Sequence, residues 1–342
     1  MKKLWRWTRR IVGGLLALAV VLAIAGAGYQ WMEDRRTADR FPAPGKLVDV
    51  GGHRLHLFCT GTGSPTVILD TGLGVPSLGW SLVQTETAKF TRVCSYDRAG
   101  YGWSDPGPGP RTSGQIAREL QTLLSNAHID PPYVLAGHSF GGYNIRVFRH
   151  LAPRDVVGMV MVDTSHEDQN SYQSPRMKKM QESESKQLLI GQIAVRLGVV
   201  RLFPSLAGDD DGDLWKGFPA GSKQAADALG LRTGFIDAIS SELKNFETSA
   251  SEVRAAGDLG DLPLVVITAG KTGQSPGMSP EDIRDFAAFH KIWTDDLQLR
   301  LARLSSRGKR VIAENSDHMI PFRQPEIVVS ALQDVVSQAR GH

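Results

Sequence analysis

Apolar residues along this chain follow distinct rhythms. From Ile11 to Gly28 they form one run without a charge. Beyond residue 45 they gather into short blocks bounded by Gly, Pro and Asp, and between the blocks they recur at every third or fourth position. The blocks predict strands. "KLVDV" and "HRLHLFC" flank Gly51-Gly52, a hairpin signal. "PTVILD" (65–70), "FTRVCSYD" (90–97) and "PYVLAG" (132–137) lack alternation, as strands buried on both faces do. "VVGMVMVD" (156–163), "LPLVVITAG" (262–270) and "KRVIAEN" (309–315) add three more. The slower rhythm predicts helices. Residues 112–126 place Ile116, Leu120, Leu123 and Leu124 on one face, with Thr112 and Gln115 as a capping box. Residues 279–308 open on Ser279-Pro280 and stop at Gly308, with Trp293, Leu297, Leu301 and Leu304 on one side. Residues 324–339 close the chain, Pro325 lying near the first turn. Strands alternating with helices imply an α/β fold with a mostly parallel, doubly wound sheet.

Residues 164–261 break the rhythm, with almost no strand signal and several helix-like stretches. That is too long for a loop, so a helical cap inserted after the sixth strand is expected. It includes "GDDDGD" (208–213). An EF-hand loop counted from Asp209 would need Gly sixth and Glu twelfth; the Gly comes fourth and Ala220 stands twelfth. Asp209, Asp210, Asp211 and Asp213 are therefore read as a solvated loop, and no metal site is expected. The domain plan is residues 1–31 as an anchor or signal segment, 32–45 as a polar linker, 46–163 with 262–342 as the core, and 164–261 as the cap.

Charge sharpens the reading of the N-terminus. The chain carries a net +3, yet Lys2, Lys3, Arg6, Arg9, Arg10, Arg35, Arg36 and Arg40 outweigh Glu33, Asp34 and Asp39 by more than that. The remainder is net negative and offers no basic stripe for nucleic acid. The run 11–28 has about the minimum length for a spanning helix. The preceding cations keep the N-terminus cytoplasmic, and Trp5, Trp7, Tyr29 and Trp31 suit the two interfaces. A cleaved signal peptide is the alternative, because Ala25-Gly26-Ala27 fits the cleavage pattern. Both readings carry the rest of the chain outside the cytoplasmic membrane, anchored or secreted. Composition, at 41% hydrophobic and 22% charged, is that of a folded protein. Cys59 and Cys94 are the only cysteines; a pair in an oxidising compartment can form a disulfide, and their spacing alone does not decide it.

Candidate chemistry centres on Gly137-His138-Ser139-Phe140-Gly141, a G-x-S-x-G between a predicted strand and a predicted helix. The glycines let neighbouring backbone fit around a sharp, strained turn, and the helix N-terminus offers N–H groups to a developing oxyanion.

With this motif the chain resembles the α/β-hydrolase superfamily over residues 46–340. "DTGLG" (70–74) follows the third strand, where such enzymes keep an oxyanion loop. "YDRAGYGWSD" (96–105) follows the fourth and is similar to D-x-R-G-x-G-x-S with Ala99 inserted. "SDHMI" (316–320) follows the last strand, where the family carries its histidine. The resemblance implies an eight-stranded sheet and a Ser139 nucleophile. It makes His318 the base, alone of nine histidines in the right chain order, while His138 is expected to point away. The family usually places its acid after the seventh strand, but no carboxylate lies between Gly270 and Pro280. Asp163 at the end of the sixth strand is the leading alternative, an arrangement some haloalkane dehalogenases share. Glu167 or Asp168, then Glu281 or Asp282, follow. Leu73 and Phe140 N–H groups are expected to form the oxyanion hole. Asp97 and Arg98 are expected to be structural. If the sheet has the family's order, Cys59 and Cys94 lie on adjacent strands, which favours a disulfide.

These features imply a serine hydrolase acting on a small to medium, partly apolar acyl substrate, without metal or organic cofactor, and leave the oligomeric state open. The apolar stretch "QLLIGQIAVRLGVVRLF" (187–203) suits either an acyl pocket or packing of the cap on the body. An aminopeptidase using Glu167, Glu182 or Glu184 to hold an ammonium is one alternative, and a non-catalytic binding or sensor module another. Dehalogenases and epoxide hydrolases attack with aspartate, which Ser139 argues against.

Overall fold

The computed structural model of this protein describes residues 2–207, 212–273 and 278–341. The run Asp209, Asp210 and Asp211 lies outside them, as do residues 274–277; Asp213 is exposed. The eight strands are β1 (Lys46–Asp49), β2 (Arg54–Thr60), β3 (Thr66–Asp70), β4 (Val93–Tyr96), β5 (Tyr133–His138), β6 (Val156–Val162), β7 (Leu264–Ala269) and β8 (Gly308–Ala313). They form one sheet in the order β1-β2-β4-β3-β5-β6-β7-β8. β2 runs antiparallel to both β1 and β4, and every other pair is parallel. β3, β4, β5 and β7 are buried along their whole length, which is why their apolar runs do not alternate.

Burial on both sides divides each strand between two cores. Ile68 and Leu135 face one cluster, while Val67, Leu69 and Val134 face the other, the two-residue period of a strand. α1 (Lys2–Arg40) precedes the sheet, and α2 (Ser81–Thr87) follows β3. The first core is covered by α3 (Ser113–Asn126) and α4 (Gly141–Leu151), through Ile116, Leu120, Leu123 and Phe148. At the start of α3 the Thr112 hydroxyl accepts the Gln115 N–H, but the Gln115 side chain turns to Glu119, so only half of the expected capping box forms.

Between β6 and β7 the described residues hold helices: α5 (Pro175–Arg196), α6 (Val199–Leu202), α7 (Ser222–Gly230), α8 (Thr233–Lys244) and α9 (Phe246–Ala256), with short 3₁₀ turns. After β7 come α10 (Pro280–Ile292) and α11 (Gln298–Ala302), joined by a π-helical turn at Trp293–Leu297 where the sequence suggests one unbroken helix. α12 (Ile320–Arg323) and α13 (Pro325–Arg340) end the chain, and α13 covers the second core with Val328, Leu332, Val335 and Val336.

Two further features bear on function. Cys59 and Cys94 stand opposite one another on β2 and β4 and are joined by a disulfide. α1 continues as helix to Arg40, through most of the stretch read as a linker. Its polar residues there are used in contacts: Arg36 pairs with Glu33, Asp34 with Arg201, and the Thr37 hydroxyl donates to the Glu33 carbonyl, while Gln30 just before them donates to the Leu231 carbonyl.

Candidate active site

β5 ends at His138, α4 begins at Gly141, and Ser139 turns the chain between them with φ of +52°. A non-glycine residue there costs about 1–3 kcal/mol, so its neighbours must impose it. They do. The Ser139 N–H donates to the Val162 carbonyl, and its own carbonyl accepts from Gly142 and Ser165. Close approach explains the flanking glycines: a Cβ on Gly137 would sit 2.7 Å from the Gly141 carbonyl, and one on Gly141 would sit 2.5 Å from the Asp70 oxygen. The loop after β3 passes tightly over the serine as well, since a Cβ on Gly72 would lie 3.1 Å from the Ser139 Cβ.

Asp163 follows β6 and also adopts a positive φ, +44°. The turn aims its buried carboxylate across to the end of β7. Oδ1 accepts the Ala269 N–H at 3.0 Å and the Trp293 indole N–H at 2.8 Å; Oδ2 accepts His318 Nδ1–H at 2.6 Å. Burial alone would raise the Asp163 pKa, but the His318 hydrogen bond and charge, with the Ala269 and Trp293 donors, outweigh it and hold the carboxyl below its usual range. Desolvation opposes charge on His318, and the Asp163 bond and charge overcome it, raising the imidazole above its ordinary value. The His318 side chain stays 46% exposed while its inner edge is tied.

His138 does not point clear of this pair. Its buried ring lies 4.8 Å from the His318 ring, and Nε2–H donates to the His318 carbonyl at 2.8 Å. Burial and the nearby His318 charge lower its pKa to about 3, so it is a neutral brace for the loop that carries His318. Trp293 is the other residue that sequence reasoning missed. It sat in an apolar stripe and read as core; the π-helical turn brings its indole N–H to Asp163.

The rival acids are engaged elsewhere. Glu167 pairs with Arg146 at 2.6 Å, and Asp168 with Arg300 at 2.5 Å. Glu281 pairs with Arg176, and Asp282 caps α10 through Ser279. His56 is bonded to Asp97, and His53 lies against Glu119. Neither Leu73 nor Phe140 has its N–H taken by another group among the described residues. The loop bearing Leu73 is gripped from beneath by Arg98, which is buried and donates to the Thr71 carbonyl at 2.7 Å, the Gly72 carbonyl at 3.0 Å, Asp70 and Glu242. Glu242 lies on α8, so this network ties the helical segment to the loop.

The profile of the alpha/beta hydrolase family matches residues 67–331, taking in the serine turn, Asp163 and His318. The chain belongs to the alpha/beta hydrolase family. Among relatives, a Hormonema carpetanum protein named as probable transporter efuK is 30% identical over 312 residues, covering 85% of this chain and 42% of that protein. Uncharacterized protein YbdG of Bacillus subtilis is 23% identical over 165 residues, 48% of this chain and 51% of that one. The chain thus spans about half or less of the length of these two curated relatives. In structure, a thermophilic esterase from Thermogutta terrifontis superposes with a TM-score of 0.59 at 20% identity, covering 86% of this chain and 98% of the esterase.

In this member of the family, Ser139, Asp163 and His318 line one cavity of about 530 Å³. No hydrogen bond joins the Ser139 hydroxyl to the His318 ring among the described residues. Apolar wall comes from Phe286, Phe289 and Trp293, on α10 and the turn after it. The stretch 187–203 supplies no wall. Val195 and Val200 pack inward, while Leu189, Ile190, Ile193, Leu202 and Phe203 face out, so packing accounts for only part of the stretch.

Proposed function

We propose that this protein is a serine hydrolase that cleaves a carboxylic ester or related acyl bond through an acyl-enzyme on Ser139. The observation that carries the reading is the 2.6 Å bond from His318 to buried Asp163, at the wall of the cavity that Ser139 also lines. Asp163 fixes the imidazole with Nδ1 protonated, which leaves Nε2 free to act as base. The Ser139 oxygen attacks the substrate carbonyl carbon as Nε2 takes its proton. The negative oxygen of the tetrahedral intermediate takes hydrogen bonds from the Leu73 and Phe140 N–H groups, both without partners among the described residues. The intermediate collapses, the carbon–oxygen bond to the alcohol breaks, and His318 returns the proton to the leaving alkoxide. Water then repeats the sequence against the acyl-enzyme, freeing the acid and Ser139. The serine–imidazole bond belongs to the substrate-bound state, since such contacts often tighten only on binding. Phe286 and Phe289 favour a partly apolar acyl or alcohol group.

Residues 164–261 act as the cap, bracing the oxyanion loop through Glu242. The N-terminal helix, apolar and long enough to cross a membrane, anchors the enzyme with its catalytic body on the outer side of the cytoplasmic membrane. A fluorophosphonate probe tests the chemistry: wild type is expected to label, Ser139→Ala to lose labelling, and His318→Ala to label at least about a hundredfold more slowly. Labelling retained by Ser139→Ala would overturn the proposal.

A further inference from the structure

Large apolar side chains left in the open are unevenly distributed. Beyond α1, Leu47, Leu151, Tyr172, Ile283 and Val311 are 37–40% exposed and lie apart in sequence. Scattered residues of this kind are normal. Leu189, Ile190, Ile193, Leu202, Phe203 and Leu206 differ: each is 54–68% exposed, and all fall on the end of α5, on α6 and on the turn just after it.

The same short stretch touches α1. A Cβ on Gly26 would run into the Leu197 carbonyl, and one on Gly198 would sit 2.8 Å from the Tyr29 ring. Gly26 belongs to the uncharged run 11–28, about 10 Å along the helix from its midpoint. The hydrocarbon layer reaches about 15 Å from its own midplane. Gly26 thus lies about 5 Å inside that edge and Tyr29, three residues on, close to it, so the α5–α6 junction sits at the inner margin of the headgroup region. Ile193 lies only about 6 Å along α5 from that contact, and Ile190 about 10 Å. Arg196 is paired with Asp237 and Arg201 with Asp34, so neither meets the headgroup region as a lone charge. Lys186, one turn beyond Ile190 and exposed, can reach headgroups with its ammonium.

We infer that this apolar strip rests on the lipid surface beside the point where α1 leaves the bilayer, a second membrane contact next to the anchor. The inference depends on α1 spanning the membrane and is independent of the hydrolase chemistry. Depth quenching on the full chain in phosphatidylcholine vesicles tests it. A fluorophore is attached to a single added cysteine in Ile190→Cys, Phe203→Cys, Leu16→Cys or Leu151→Cys. All four positions are exposed, so folding is preserved. Spin-labelled lipid is expected to quench positions 190 and 203 severalfold more than 151, approaching 16. Quenching at 16 with none at 190 and 203 overturns the inference and leaves the anchor standing. No quenching at 16 removes the anchor and the inference with it. Pyrene excimer emission from 190 or 203 in place of lipid quenching would assign the strip to a second copy and overturn it too.

Discussion

Two buried carboxylates stand at strand ends on either side of β5 and serve different ends. Asp70, closing β3, is held by Arg98, Tyr96 and Asn144, every partner buried and none able to lose its charge or donor near neutral pH. Asp163, just past β6, is held as firmly, by Ala269, Trp293 and His318, but its titratable partner is an imidazole with nearly half its side chain open. Burial and hydrogen bonding are alike at the two sites. What separates the brace from the proposed working pair is whether the partner can release a proton and reach the cavity.

Substitutions at the two sites should therefore fail in different ways. Asp163→Asn is expected to lower kcat/KM on a short-chain ester about 10⁴-fold while the protein stays folded. Asp163 raises the His318 pKa, so its loss should also move the rising limb of the remaining pH–rate profile to lower pH. Full turnover by this variant would remove Asp163 from the mechanism. Arg98→Met should act on the fold instead. It leaves Asp70 and Glu242 buried without their cation, at about 3–5 kcal/mol, read as an earlier denaturant midpoint. An unchanged midpoint with lost activity would make Arg98 part of the chemistry and dissolve the contrast. Trp293→Phe removes one donor from Asp163 and sharpens its pull on His318. About a tenfold loss is expected, with the pH limb moving up, opposite to Asp163→Asn.

The smallest effect is expected at the brace. His138 has a folded pKa of about 3 against an ordinary 6.5, so the folded state resists the proton that the unfolded chain accepts. Its contribution is full above pH 6.5 and declines as pH falls towards 3. His138→Gln should flatten the acid limb of stability in that window, measured by denaturant titration at several pH values. An unaltered limb would show that His138 carries no such penalty.

Much of this was legible in the residue pattern, for physical reasons. Strands buried on both faces must be apolar throughout, so β3 to β7 announced themselves. The strained turn needs small neighbours, so Gly137 and Gly141 marked Ser139. Other features left no such trace. The polar residues after Trp31 look like a linker because periodicity reports apolar burial, whereas Asp34 and Thr37 are spent on polar contacts. Trp293 lies in an apolar stripe whether its indole N–H has a partner or not. The stretch 187–203 is apolar, and its sequence does not say which side of the molecule those side chains face.

α1 is helical without interruption from Lys2 to Arg40, and its last turns are locked to the body. A flexible tether would let the head swivel; a continuous rod sets its heading. Each residue added to or removed from the stretch between the proposed span and those contacts would raise or lower the body by about 1.5 Å along the helix axis. With α1 as the proposed anchor, the number of residues in this segment acts as a spacer, setting how high the body stands above the lipid.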